Sequence, residues 1–121
     1  MRLTNAQMFE SVEALSRASE EKGLLGYAIA VNLRRLSTEL VEYNRTRDAL
    51  LAEHGTEAGG GRYNLTPEAV RAFSEALRPY EDIETDVAAM QVAPDVFYGG
   101  GLTSGQMFTL AWMVKEVGAD G

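Results

Sequence analysis

The apolar spacing of one long stretch constrains this chain most. Ile29, Leu33, Leu36, Leu40 and Tyr43 follow one another at intervals of four and three residues, the spacing of a coiled-coil seam. Arg47 interrupts the series and Leu50 resumes it. Such a helix needs another apolar stripe to cover its own. The preceding segment supplies one, because Met8, Val12 and Leu15 share a helical face while Glu13, Arg17, Glu20 and Glu21 lie mostly away from it. The pattern predicts a first helix over about residues 4–21, stopped near Gly23, and a longer second helix ending at "AEHG". Gly55 is its expected C-cap, with His54 near the negative end of the dipole. The two helices are expected to form an antiparallel hairpin.

Helix entries are written plainly. "LTNAQMF" (3–9) and "LTSGQMF" (102–108) each place a threonine three residues before a glutamine, which is a capping box. Leu3 with Met8, and Leu102 with Met107, stand at the positions of a hydrophobic staple. The likeness fades beyond Phe9 and Phe108, so it reads as shared helix-start chemistry rather than duplication. A third entry has Thr66 as N-cap and Pro67 in the first turn. Its inner face is Val70, Phe73 and Leu77, and Pro79 is expected to end it near Arg78. The last helix is expected over about 103–117.

Two segments break the helical period. "GTEAGGGR" (55–62) reads as a flexible loop. In "EDIETDVAAMQV" (81–92), Ile83, Thr85, Val87 and Ala89 alternate with Glu84, Asp86 and Ala88, which predicts a half-buried strand over 83–90 with Val87 inward and Asp86 outward. Its partner is expected from 62–65, from 95–98 or from a second subunit. The fold class is mainly α, an α+β arrangement in one domain spanning 1–121, with a helical hairpin, two further helices and a short β element.

The chain has no cysteine, so disulfides and thiolate metal sites are excluded. A net charge of −7 opposes binding to nucleic acid and to anionic membrane surfaces. No apolar run approaches the roughly 20 residues of a membrane span. The first residues are polar where a secretion leader needs its apolar centre, which favours a cytoplasmic location in a host cell. Asn44 and Asn64 match the glycosylation pattern and read, on that basis, as chance.

Chemistry-bearing candidates are few. His54 is the single histidine and reads as a solvated helix cap rather than a catalytic base, so no catalytic residue is assigned and no cofactor is expected. Glu84 and Asp86 share one strand face, and paired carboxylates can hold Mg²⁺ or Ca²⁺, though calcium-loop spacing is lacking and a solvated face serves as well. Gly101, Thr103, Ser104 and Gly105 form a glycine-rich helix entry whose backbone N–H groups can receive an anion. A P-loop would need Lys at position 106, where Gln106 stands. The arginines Arg34, Arg35, Arg45 and Arg47 interleave with Glu39, Glu42 and Asp48, the pattern of a salt-bridged wet face. In "MFTLAWMV" (107–114) only Thr109 is polar, and Met107, Leu110, Ala111 and Val114 are expected to fill one face. Phe108, Trp112 and Met113 then form the candidate interface, which favours a homo-oligomer.

"RLTNAQMFESVEALSRASEEKGLLGYAIAVNLRRLSTELVEYNRTRDALL", with "DIETDVAAMQV" and "LTSGQMFTLAWMVKE" later in the chain, resembles a family of short uncharacterised phage and prophage proteins. Members of that family begin with Lys-Leu-Thr-Asn-Gly-Gln, continue through a long charged helix and an acidic strand, and finish in a helix of Met and aromatic residues. The resemblance covers most of the chain and departs at "GTEAGGGRYN" and at the glycine run before Leu102. It implies a phage-encoded protein, often encoded near tail or late genes, and carries over no catalytic residue. The expected function is non-enzymatic protein–protein interaction, in virion or tail assembly or in binding a host factor, with virion association. The alternative is a protein that binds a phosphate-bearing or nucleotide ligand and sequesters a host signal.

Overall fold

Three of the helices begin at a capping threonine, Thr4, Thr66 or Thr103. The computed structural model describes residues 1–116. The Thr4 hydroxyl accepts from the Gln7 N–H at 3.1 Å, and the Gln7 side chain accepts from the Thr4 N–H at 2.8 Å. The box repeats at Thr103 and Gln106, with distances of 3.1 and 2.9 Å. The first helix, α1 (Asn5–Arg17), ends earlier than residue 21, and Gly23 opens the next helix instead of closing this one. The long second helix is divided into α2 (Gly23–Glu39) and α3 (Val41–His54) at Leu40. Hydrogen bonds persist across the break, since the Leu40 N–H donates to the Leu36 carbonyl and the Asn44 N–H to that of Leu40. Neither proline nor glycine lies near Leu40, and the turn lets α2 pack on α1 while α3 packs on α4 (Pro67–Glu81).

The seam survives the turn. Ile29, Leu36, Leu40 and Tyr43 are buried, and Leu33 packs against them. Arg47 breaks the apolar lettering without breaking the packing. Its guanidinium lies 4.8 Å from the Phe9 ring centroid and 5.7 Å from that of Phe73, so cation–π attraction and an apolar stem stand in for a hydrophobe.

The stretch expected as a flexible loop is a β-hairpin of β2 (Thr56–Gly59) and β3 (Arg62–Asn64). Gly59, Gly60 and Gly61 take φ values of 89°, 62° and 76°, which L side chains rarely adopt. The glycine run therefore makes a defined reversal. Thr66 caps α4, accepting from the Ala69 N–H at 3.1 Å. The helix passes through Pro79 to Glu81 rather than stopping near Arg78. Proline this close to the end costs one hydrogen bond in the last turn. Leu77 is buried and Phe73 half-buried, but Val70 faces solvent, against expectation.

The acidic strand is shorter than the predicted 83–90, and its partner is none of the three expected. It is β4 (Glu84–Asp86), paired antiparallel with β1 (Arg2–Thr4), with Leu3 opposite Thr85. Leu3 is thus both a staple residue and a buried strand residue. Asp86 is outward and Val87 inward, as the alternation predicts. Beyond Val87 the backbone leaves the ladder, and other groups satisfy it. Arg35 donates to the Ala88 carbonyl. The Met90 N–H donates to Asn32 Oδ1 at 2.7 Å, and Asn32 Nδ2 donates to the Met90 carbonyl at 2.9 Å. The Val92 N–H donates to the Met113 carbonyl, and the Lys115 N–H to the Val92 carbonyl, each at 2.8 Å. Residues 87–92 thus form a strap held by side chains along one half and by a short parallel pairing along the other.

A short helix, α5 (Pro94–Tyr98), follows and buries Phe97 completely. The last segment is not one long helix. α6 (Ser104–Thr109) gives way to a 3-10 turn at Ala111–Met113, and Val114 is extended beside Val92. Residue 117, the expected end, lies outside the described residues. Leu110 is fully buried, Met107 and Val114 are half-buried, and Ala111 is exposed, so the expected inner face is only partly formed. The architecture is mainly helical with two small antiparallel sheets. Met8, Leu15, Ile29, Leu36, Phe97, Leu110 and Met113 centre the core.

Asn32 is 0% exposed. Asn32→Ala would leave the Met90 N–H and carbonyl unmatched in the interior, and one such orphaned group costs about 1–3 kcal/mol. Urea denaturation of this variant should show a loss of about 3 kcal/mol with an unchanged m-value. A loss below about 1 kcal/mol would mean that the clamp does not hold the strap.

Candidate functional site

The four groups singled out from the sequence meet different fates. The Gly101 N–H donates to Glu21 Oε2 at 3.1 Å. The carboxylate received by this glycine-rich turn is thus the chain's own, from the link between α1 and α2. A Cβ at Gly100 would approach Leu25 Cδ2 to 2.4 Å, so the run allows close packing on α2. The Thr103 hydroxyl is committed to its cap, while Ser104 and Gly105 open α6, a helix of six residues. Glu21 places negative charge where a phosphate would need to sit.

Glu84 and Asp86 do share the exposed face of β4, and each already holds a cation. Arg2 Nε lies 3.0 Å from Glu84, and the amino group of Met1 lies 3.0 Å from Asp86. That amino group, by hydrogen bond and by charge, holds the Asp86 carboxyl below its ordinary range, and Arg2 adds to the effect. No group of three or more His, Asp or Glu side chains suited to a metal occurs among the described residues. His54 sits in the last turn of α3, as its sequence position implies.

The aromatic trio is split. Phe108 is 87% exposed. Trp112 is half-buried and donates from Nε1 to the Ser11 hydroxyl at 3.0 Å, tying the C-terminal segment to α1. Met113 is fully buried in the chain's own core. Of the three, only Phe108 is presented to solvent.

A fifth place was not legible as a site. Where α3 meets the corner from α4 into β4, a cleft is lined by Asn5, Glu39, Glu42, Tyr43, Tyr80 and neighbouring threonines. Tyr43 is 5% exposed, and its ring packs edge-on to Phe9 with centroids 5.7 Å apart. Burial pushes the Tyr43 hydroxyl's pKa up, the Glu81 charge adds to this, and Arg47 opposes it. Periodicity marks Tyr43 only as a seam residue and Asn5 only as a cap neighbour, so no pattern signals that the two line one cleft. No helix among the described residues is long and apolar enough to cross a membrane. The chain matches no family model, no curated protein and no solved structure.

The Tyr43 shift has a consequence for stability. A phenol whose folded pKa is raised stabilises the fold below its ordinary value of about 10, and that contribution is lost as pH rises through the folded pKa. Stability measured by urea titration should therefore fall more steeply above about pH 10 in the wild type than in Tyr43→Phe. Parallel curves would show that Tyr43 titrates as a free phenol.

Proposed function

We propose that this protein works by binding other proteins, as a phage-type assembly or host-factor-binding protein that self-associates, and not by catalysis. The observation that carries the reading is Phe108, 87% exposed on a helix whose entry is fixed by a complete capping box. Displaying a large aromatic on a rigid, capped turn lowers the entropy lost when a partner covers it. Covering a phenylalanine side chain contributes about 2 kcal/mol. The phage assignment rests on the resemblance of both ends and the middle of the chain to the prophage family. The competing reading, a binder of phosphate-bearing ligands, is weakened by the Glu21 carboxylate on Gly101.

Sedimentation equilibrium of the wild type and of Phe108→Ser tests the reading. Phe108 makes little contact within the chain, so the variant should fold normally. The wild type is expected to associate in the high micromolar range, and the variant to dissociate about tenfold more readily. A wild type that remains monomeric, or two proteins that associate identically, would remove Phe108 as the interaction surface.

A further inference from the structure

The cleft between α3 and the α4–β4 corner gathers carboxylate, amide and hydroxyl oxygens, all of which can accept hydrogen bonds. Asn5 Nδ2 donates to the Tyr80 carbonyl at 2.9 Å, which fixes the orientation of the amide. Asn5 Oδ1 then has no hydrogen-bond donor among the described residues, although Asn5 is only 8% exposed. The Tyr43 hydroxyl, on a residue 5% exposed, likewise has no partner there. Neither atom is sealed away from solvent, and both residues line the cleft. Glu39 at the rim makes no ion pair among the described residues, and Tyr80 brings an exposed aromatic ring.

We propose that this cleft binds a guanidinium group. Guanidinium is planar, carries five N–H donors and no acceptor, and stacks on aromatic rings. It matches a site offering an amide oxygen, a phenol, a carboxylate and a tyrosine ring. An ammonium would supply only three donors from one point. The chain's own guanidiniums nearby are already engaged, Arg45 by a carboxylate that itself lines the cleft. Arg45 is held by Glu42 at 2.9 Å, and Arg47 lies over the Phe9 and Phe73 rings. A net charge of −7 further favours a cationic ligand. The site is separate from Phe108, and its test does not depend on self-association.

The test is an NMR titration of ¹⁵N-labelled protein with N-methylguanidinium, with tetramethylammonium as an equally charged cation that has no donors. N-methylguanidinium should give saturable shifts at the Asn5 side-chain amide and at the Thr46 and Thr85 amides, and tetramethylammonium should give none. Losing one charge-assisted contact weakens binding about tenfold, so Glu39→Gln and Tyr43→Phe should each raise Kd by about that factor. Glu39 is exposed, so its variant stays informative if Tyr43→Phe perturbs folding. Shifts that do not saturate, that spread over every exposed carboxylate, or that persist unchanged in Glu39→Gln overturn the proposal. Two further ligands identify the source. Blocked arginine binding at least as tightly as agmatine assigns the site to a partner protein's side chain, and tighter agmatine binding assigns it to a free small molecule.

Discussion

One buried amide organises the molecule. Asn32, on α2, presents its oxygen to the Met90 N–H and its nitrogen to the Met90 carbonyl, and so acts as one residue of a neighbouring strand. Without it the Met90 N–H and carbonyl, in the middle of the strap from Val87 to Val92, would lack partners. Val87 and Val92 are buried on either side of the clamp. From Val92 the chain enters α5, which plants Phe97 in the core, and Val92 itself receives the C-terminal segment through Met113 and Lys115. Helices, sheet and C-terminus therefore share one strap, and the strap depends on the amide.

The sequence legibly encoded local chemistry. Thr4, Thr66 and Thr103 cap helices as their spacing predicts, because a cap is decided within four residues. The seam from Ile29 to Tyr43 is buried as its period predicts. What escaped reading depends on distant partners. β1 pairs with a strand some eighty residues later, and no local pattern in "RLT" announces it. The division at Leu40 follows from α3 finding α4, not from any helix breaker. The last helix is cut short because Val114 pairs with Val92, so tertiary pairing overrides a strongly helical apolar run.

The candidate sites obey the same rule. Glu84, Asp86 and Gly101 looked open to ligands, and each is matched by a group of the chain itself, namely Arg2, the amino group of Met1 and Glu21. Conversely, Asn5 and Tyr43 looked purely structural, and both line one cleft. Phe108, at 87%, is the most exposed of the large hydrophobic side chains among the described residues.

Native-state amide hydrogen exchange tests the role of Asn32 most directly. Met90 lies outside every helix and strand, so secondary structure alone gives its amide no protection. If Asn32 clamps the strap, the Met90 amide exchanges as slowly as core amides of α2 such as Leu36, through near-global unfolding. Exchange at Met90 as fast as at the exposed hairpin glycines Gly60 and Gly61 would contradict the account.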